Sequence, residues 1–292
     1  MKNSPVRAHG IAFALLAVCG HAVAAAQAPA PDAGPEWPDM ASPNDYVVQL
    51  QPRVWYVSPG GKLSLPSTTG VAGGYIRTND LDLDQPRISP YAEMSIKADA
   101  WRFTFSGADY SLSHDATAPF AFTLGSTPVA GGAAFHTDFD FATFNLSAAY
   151  RFYEIDFGAE GGDAADQYVL RLEALGGIRF YDLDIRIRNT LGSTSGTDQF
   201  YGEPFAGART EFQIARDFSI DLELTAGGLP VEDHSVYSID VAVGFSWRPV
   251  DAVAVQIGWR QLAFSMEDDS GPRQFKYEGT LAGLFAGVVI RF

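Results

Sequence analysis

Apolar and polar residues alternate at every second position through most of the chain beyond residue 45, and no other feature limits the fold as strongly. In 218–226, five apolar residues share one face while Ser219, Asp221, Glu223 and Thr225 share the other. The same spacing recurs in 237–247 and in 253–260. This periodicity places two chemically different sets of side chains on opposite faces of β-strands, so the pattern predicts an all-β protein.

The alternation divides into about ten strands, within a range of eight to twelve. We expect the links near 98–100, 216–218 and 248–252 to be short and most of the other links to be long. The predicted strands are 46–57, 86–98, 100–112, 138–153, 167–188, 203–216, 218–228, 235–248, 252–265 and 274–292.

The N-terminus has the features of an export signal. Lys2 and Arg7 precede the apolar stretch 11–18, and small residues at 22–26 fit a signal-peptidase site before Gln27. Residues 1–26 are therefore predicted to be a signal peptide, with lipidation at Cys19 as the alternative. Residues 27–44 are rich in Pro and Ala without periodicity and are predicted to be a flexible lead segment.

Two architectures carry alternating strands of this kind. A soluble sandwich buries its apolar face, whereas a transmembrane barrel turns that face to lipid and its polar face to a lumen. The export signal, the strand lengths and the charge-rich polar faces favour the barrel, since a spanning strand needs about 9–11 residues. We therefore predict that 45–292 forms a transmembrane antiparallel β-barrel in the cell outer membrane, with both termini periplasmic.

The C-terminus carries the most specific signal in the sequence. Apolar residues occupy every second position back from a terminal aromatic, and an unpaired last strand can add to another sheet's edge. This pattern resembles the insertion signal of bacterial outer-membrane barrels, which implies the barrel-insertion machinery as a partner. The predicted signal residues are Leu284, Ala286, Val288, Ile290 and Phe292.

Residues 168–292 repeat a theme of glycine, aromatic and arginine on adjacent strands, seen in 175–181, 203–209, 257–262 and 283–287. They resemble the C-terminal half of small proteobacterial outer-membrane β-barrel proteins, a family whose role is poorly defined. The chain departs from that family's usual pattern at Glu203, Trp259, Gln261 and Ala282. The resemblance implies a fold and a location and no reaction.

Charged residues of both signs fall on the predicted inner face. We expect them to form a lumen charge network, and Lys97, Arg102 and Asp240 share that face. Gly177, Gly207, Gly258, Gly283 and Gly287 are predicted to make room for neighbouring arginines, or to leave a thin water path. The network comprises Arg53, Glu93, Arg151, Arg171, Glu173, Arg179, Arg209, Glu211, Asp221, Glu223, Arg260 and Arg291.

Two functions are compatible with such a lumen. Paired charges filling a narrow barrel predict a structural or interaction barrel, whereas an open ladder of arginines predicts a narrow porin-like channel for small solutes. About eight strands give a filled interior, and 16–18 give a channel, so ten strands favour the filled form. Aromatic residues near strand ends are interpreted as an interfacial girdle: Trp55, Trp101, Trp247 and Trp259.

Other functional classes have weak support. A net charge of −15 argues against nucleic acid as a partner, and a single cysteine excludes a disulfide framework. His114, His136 and His234 fall in predicted extracellular loops and make an outer-membrane hydrolase a remote alternative. Asp80, Asp82 and Asp84 alternate as if on one strand face, and Glu267–Asp269 is acidic, yet both are interpreted as solvated surface. We therefore predict no enzyme, no cofactor and no metal, with outer-membrane lipid and lipopolysaccharide as partners.

Overall fold

The computed structural model describes residues 46–67, 74–157, 168–215, 217–231, 233–269 and 274–292. The predicted signal peptide and lead segment lie outside these residues. Thirteen strands are present in this part of the chain, together with a short 3-10 turn at Thr78–Leu81. They are β1 (Tyr46–Ser64), β2 (Ile76–Arg77), β3 (Arg87–Ala98), β4 (Trp101–Thr117), β5 (Phe122–Leu124), β6 (Thr127–Val129), β7 (Ala134–Asp156), β8 (Val169–Asn189), β9 (Thr194–Ala215), β10 (Phe218–Val231), β11 (His234–Val250), β12 (Val253–Asp268) and β13 (Phe275–Arg291).

Ten of these strands form one closed antiparallel ring. Each long strand pairs with the next in the order β1-β3-β4-β7-β8-β9-β10-β11-β12-β13, and β13 pairs back onto β1 from Gln49–Arg291 to Ser64–Lys276. Closure removes both sheet edges, as a barrel requires. The prediction of about ten antiparallel strands is confirmed. No helix in the described ranges is long and apolar enough to cross a membrane.

Several strands are longer than predicted. β7 has 23 residues and β9 has 22, about twice the length that a membrane crossing needs. The predicted loops 113–137 and 189–202 are therefore largely strand, and the β8–β9 and β10–β11 links are short turns. Most of the extra length lies at one end of the barrel, opposite the turns 99–100 and 251–252. We refer to these as the extension and the short-turn end.

The chemistry of the two strand faces reverses where the barrel enters the extension. On β8 the outward row runs from Leu170 to Phe180 and then changes to Asp182, Asp184, Arg186 and Arg188. The inward row includes the charged residues Arg171, Glu173 and Arg179 and then becomes Tyr181, Leu183, Ile185 and Ile187, which are all buried. The lower barrel thus has a polar interior and an apolar exterior, and the extension has the opposite arrangement.

The outer face of the lower barrel is a continuous apolar belt. Outward-facing apolar rows span nine to eleven residues of most strands, such as 142–152 on β7, 237–247 on β11 and 282–290 on β13, a length that matches a tilted spanning strand. Large apolar side chains in these rows are well exposed, including Leu146 at 58% and Leu284 at 57%. This belt is the surface that a transmembrane barrel presents to lipid.

The interior of the extension is a packed aromatic and aliphatic core. The Phe264 ring lies 5.0 Å from that of Phe141 and 5.1 Å from that of Tyr277, and Phe139 meets Tyr277 edge-on at 6.1 Å. The β5–β6 hairpin covers the top. Ser195 Oγ on β9 accepts hydrogen bonds from Ser126 N and Thr127 Oγ1, both at 2.9 Å. The extension is therefore filled.

At Gly177 and Gly283 on the inner face, the absence of a side chain makes room for the backbone of the neighbouring strand. A Cβ at Gly283 would lie 1.9 Å from the Tyr56 carbonyl oxygen, and one at Gly177 would lie 2.1 Å from that of Leu146. The backbones of adjacent strands thus occupy the space that a side chain would need. The prediction that glycines make room for arginine side chains was wrong at these two positions, whereas a Cβ at Gly287 would meet both the Pro52 carbonyl oxygen at 2.4 Å and Arg53 Cγ at 2.6 Å.

Candidate functional site

The polar lumen of the lower barrel is the principal candidate site, and its charges form three clusters at successive depths. The deepest, which we call the inner cluster, contains Arg179, Glu203, Asp240 and Arg260. The middle cluster contains Arg53, Glu93, Arg209 and Glu223. The mouth cluster, nearest the short-turn end, contains Lys97, Arg102, Arg171, Glu173 and Glu211.

The inner cluster is anchored by Arg179, which is 1% exposed. Its Nη2 lies 3.1 Å from Asp240 Oδ2, and its Nη1 lies 3.6 Å from Glu203 Oε1. Arg260 binds the same Asp240 carboxylate in a bidentate manner. Its Nε donates to Oδ1 at 3.0 Å, and its Nη2 donates to Oδ2 at 2.6 Å. Two buried arginines therefore share one carboxylate, a geometry that offsets their desolvation only while that carboxylate is present.

Neutral side chains complete the inner cluster. Arg179 Nε donates to Asn145 Oδ1 at 3.0 Å, and Nη2 donates to Thr225 Oγ1 at 2.9 Å. The Tyr181 hydroxyl donates to Glu203 Oε1 at 2.7 Å, and Ser238 also donates to that oxygen. Glu203 was not among the predicted residues of the lumen charge network. Its position in β9, at the same parity as Arg209 and Glu211, was the signal that would have included it.

The middle cluster joins opposite walls of the barrel. Glu93 on β3 lies 3.5 Å from Arg53 Nη1 and 3.7 Å from Arg209 Nη2 on β9. Arg209 also pairs with Glu223 at 2.6 Å. These ion pairs bridge the ring at the depth of the middle cluster.

The mouth cluster is centred on Glu211. This single carboxylate accepts Lys97 at 3.2 Å, Arg102 at 3.1 Å and Arg171 at 3.1 Å. Arg102 also pairs with Glu173 at 2.8 Å. Eleven of the twelve predicted network residues line or border the lumen. Arg151 instead lies at the short-turn rim, where it pairs with Glu154 at 2.6 Å.

A blind cavity, which we call the vestibule, occupies the lumen between the mouth and inner clusters. Its cavity volume is about 70 Å³. Its lining runs from Arg291 and Ser219 near the short-turn end to Tyr91, Arg260 and Phe285. Beyond these side chains stand Arg179 and then the packed core of the extension.

Three of the four predicted girdle tryptophans face outward. Trp101 is 47% exposed and contacts the Tyr150 ring at 5.1 Å, and Trp247 is 46% exposed at the same short-turn end. Trp259 is the last large apolar side chain of its outward row. Trp55 was wrongly assigned to the girdle. It is 3% exposed inside the barrel, where its Nε1 donates to the Gly283 carbonyl at 3.3 Å and Arg260 lies 5.7 Å from its ring.

The predicted C-terminal signal lies on the closing strand. Leu284, Ala286, Val288 and Ile290 all point outward from β13, and Phe292 follows them. The Phe292 backbone completes the seam, with its N–H donating to Val48 O at 2.9 Å and its oxygen accepting from Val48 N at 3.2 Å. The residues thus form part of the lipid-facing belt, and their recognition by insertion machinery stays a prediction.

The three histidines lie on strands and not in the loops that were predicted for them. His136 on β7 sits on the outer face of the extension with three polar neighbours. Its Nδ1 lies 2.7 Å from Asp115 Oδ1, and its Nε2 lies 3.2 Å from Asp138 Oδ1 and 3.3 Å from Ser113 Oγ. Ser113 donates its proton to Asp138 at 2.8 Å. The serine hydroxyl is therefore engaged with a carboxylate and is not aimed at the imidazole.

We expect the hydrogen bond to Asp115 to raise the pKa of the His136 imidazole above its ordinary value, with a further contribution from Asp138. A raised histidine pKa stabilises the fold below the unfolded-state pKa, and that stabilisation is lost as pH rises through the folded-state value. Imidazole NMR of the folded protein would show a lower midpoint in Asp115→Asn. The midpoint in Ser113→Ala should stay near that of the wild type, and equal midpoints in all three proteins would contradict the assignment.

Asp80, Asp82 and Asp84, which alternate in the sequence and were interpreted as solvated surface, do not share a strand face. Residues 78–81 form a 3-10 turn, and Asp82 has a left-handed backbone with φ of 55°. Its carboxylate is engaged by His114 Nε2 at 2.6 Å and by Gln85 Nε2 at 2.8 Å. Within the described ranges, no group of three or more potential ligands is arranged to hold a metal ion.

No family model matches the sequence, and no curated protein matches it. The fold is similar to solved outer-membrane proteins at low identity. Neisserial surface protein A is 15% identical (85% of this chain, 97% of that chain, TM-score 0.32), Escherichia coli outer-membrane protease OmpT is 9% identical (84% and 97%, 0.39), and Ail, the attachment invasion locus protein of Yersinia pestis, is 9% identical (84% and 99%, 0.35).

These scores are too low to carry an argument about function, so the assignment rests on the structure itself. The ring is closed, the outward apolar rows match a bilayer in length, and the interior at that depth is polar. The short turns lie at the end where both the first and last strands of the ring terminate, as in outer-membrane barrels with periplasmic turns. The chain therefore has the architecture of an outer-membrane β-barrel.

Proposed function

We propose that this chain is a structural or interaction barrel of the outer membrane, and that its role resides in its surfaces rather than in solute passage. The observation that carries the proposal is the double closure of the lumen. Charged clusters bridge the lower barrel from wall to wall, and a packed apolar core fills the extension above them. An open pore has neither feature.

The partners in this proposal follow from the two outer surfaces. The apolar belt contacts outer-membrane lipid, and the charged outer face of the extension meets lipopolysaccharide and molecules outside the cell. Asp182, Asp184, Arg186 and Arg188 on β8 illustrate that second surface. The barrel-insertion machinery is the partner proposed for the C-terminal strand. The proposal includes no catalytic role for the histidines.

We expect no discrete conductance steps from the refolded protein in a planar bilayer. The physical reason is that the inner cluster and the core of the extension lie in series along the barrel axis. Folding must be established on the same sample by a heat-sensitive shift in gel migration and by far-UV circular dichroism.

Reproducible single-channel steps from folded protein would overturn the closed-barrel proposal and favour the narrow channel. Ion selectivity would then be expected to change in Arg53→Gln and Arg209→Gln, because both arginines belong to the middle cluster. Arg186→Gln on the outer face is the matched control.

A further inference from the structure

The β5–β6 hairpin and its flanking turns, residues 118–133, stand apart from the barrel ring. In the described part of the chain, the two short strands form a sheet of their own. Backbone hydrogen bonds close the base of the hairpin, from Gly132 N to Ala118 O at 2.8 Å and from Ala118 N to Ala133 O at 3.0 Å. Gly132 has a left-handed backbone with φ of 77°, which glycine adopts without strain. A two-stranded hairpin is at best marginally stable alone, so its position depends on its contacts with the barrel.

The turn of the hairpin reaches across the end of the extension. A Cβ at Gly125 would lie 2.6 Å from the Pro66 carbonyl oxygen and 3.0 Å from Ser195 Oγ. Pro66 follows β1, whereas Ser195 belongs to β9. Four strands of the ring separate β1 from β9 on either side, so these two strands face each other across the barrel. The hairpin therefore covers the interior of the extension from wall to wall.

Two side chains of the ring hold the tip of the hairpin by hydrogen bonds. Ser195 Oγ accepts from both Ser126 N and Thr127 Oγ1 at 2.9 Å. Asn189 Nδ2, at the end of β8, donates to the Pro128 carbonyl oxygen at 2.9 Å. Ion pairs cannot add to this attachment, because residues 116–135 contain no Asp, Glu, Lys, Arg or His. The polar attachment of the tip is therefore concentrated at Ser195.

The inner face of the hairpin is apolar. Leu124 and Val129 are 0% and 3% exposed, and they belong to the same buried cluster as Phe135 and Ile187. The Phe122 ring meets the Phe135 ring edge-on at 5.7 Å. Movement of the hairpin away from the barrel would expose both its own apolar side chains and the apolar interior beneath them.

We propose that the β5–β6 hairpin is a lid, which opens as a unit about its base when Ser195 releases its tip and thereby uncovers the apolar interior of the extension. Segments with few attachments open locally at a lower free energy than global unfolding requires. The ring remains closed during this opening, because no described strand pair of the ring includes the hairpin. The lid is independent of the charge clusters of the lower barrel and of whether the barrel conducts.

The first test locks the hairpin with an engineered disulfide. Thr127→Cys/Ser195→Cys is made in a Cys19→Ser chain, because Cys19 is the one natural cysteine and its removal leaves two thiols. The Thr127 and Ser195 hydroxyl oxygens are 2.9 Å apart, so sulfurs in their places come within reach of a disulfide. Mass spectrometry follows hydrogen exchange in the refolded protein, reduced and oxidised. We expect oxidation to slow exchange of the 118–133 amides by about tenfold or more and to leave the ring strands unchanged.

The second test removes the hydrogen bonds at the tip. Ser195→Ala should speed the exchange of the 118–133 amides by about tenfold, since two hydrogen bonds are lost. The matched control is Ser111→Ala, which removes an exposed hydroxyl from the outer face of the extension and should exchange as the wild type does.

Maleimide labelling reports whether opening uncovers the apolar face. In the Cys19→Ser chain, Val129→Cys should react slowly, and about tenfold faster when Ser195→Ala is added. Ala130→Cys, on the exposed face of the same strand end, should react rapidly with or without Ser195→Ala. Equal rates at Val129→Cys in both backgrounds would show that the hairpin does not open as a lid.

The disulfide comparison can also overturn the proposal. Failure of the disulfide to form would contradict the attachment at Ser195, and unchanged exchange of 118–133 after it forms would show that release of the tip is not the opening step. Heat-sensitive gel migration establishes that each variant is folded. If Ser195→Ala does not fold, the disulfide comparison decides, because its two forms are one protein that differs only in oxidation.

Discussion

Asp240→Ala will lower the free energy of unfolding by about 3–5 kcal/mol, among the largest effects that a single side chain in this barrel can produce. Asp240 is the shared partner of Arg179 and Arg260, and all three side chains are less than 10% exposed. Removing it leaves two guanidinium groups buried with fewer acceptors. Urea unfolding of the barrel in lipid vesicles, monitored by tryptophan fluorescence, measures the change.

Asp184→Ala provides the matched control because Asp184 pairs with an arginine whose side chain is 51% exposed. That pair is screened by solvent, so its loss should change stability by less than about 1 kcal/mol. The double variant Asp240→Leu/Arg260→Met should recover much of the loss, since it removes a charge of each sign together. A small effect of Asp240→Ala would show that water reaches the inner cluster.

Alternation along the chain was sufficient to predict the strands of the lower barrel. In β7 it correctly separated the outward row that includes Leu146 and Tyr150 from the inward row that includes Thr143 and Asn145. The lipid-facing and lumen-facing rows differ sharply in polarity. The two-residue period therefore identifies the strand, and the polarity of each row identifies the face on which it lies.

The same reasoning failed in the extension, where apolar side chains face inward and charged side chains face outward. Period two identifies residues that share a face but does not say which face is inside. Above the membrane the inward row of β8 becomes apolar at Tyr181 and Leu183, while the outward row becomes charged at Asp182. An interpretation that always turns apolar residues outward therefore missed the extension and placed much of it in loops.

Trp55 shows a second limit of the sequence. Trp55 lies two residues after Arg53 and therefore shares its inward face, yet its aromatic character favoured a place in the girdle. Inside the barrel it packs beside Arg260 and donates to a carbonyl of β13, a pairing 228 residues distant in sequence. Contacts between strands that are far apart in the chain depend on how the barrel closes and on the stagger of its strands. Local periodicity gives no information about either.

Phe264→Ala will destabilise the protein by about 3–5 kcal/mol if the extension has a true packed core. Phe264 is 5% exposed and contacts the rings of Phe141, Tyr181 and Tyr277, so truncation leaves a cavity that these aromatic neighbours cannot readily fill. Phe200→Ala is the matched control. Its ring is 67% exposed and stacks only on Phe180 at 5.9 Å, and the expected loss is about 1 kcal/mol or less.

The two truncations also separate stability from closure. Phe264→Ala removes one side chain from the core of the extension and leaves the inner cluster of Arg179, Asp240 and Arg260 intact. We therefore expect it to unfold more readily in urea and still to show no conductance steps. Equal destabilisation by the two truncations would mean that the extension is not packed, whereas steps from folded Phe264→Ala would mean that the core alone closes the barrel and that the charge clusters do not block ions.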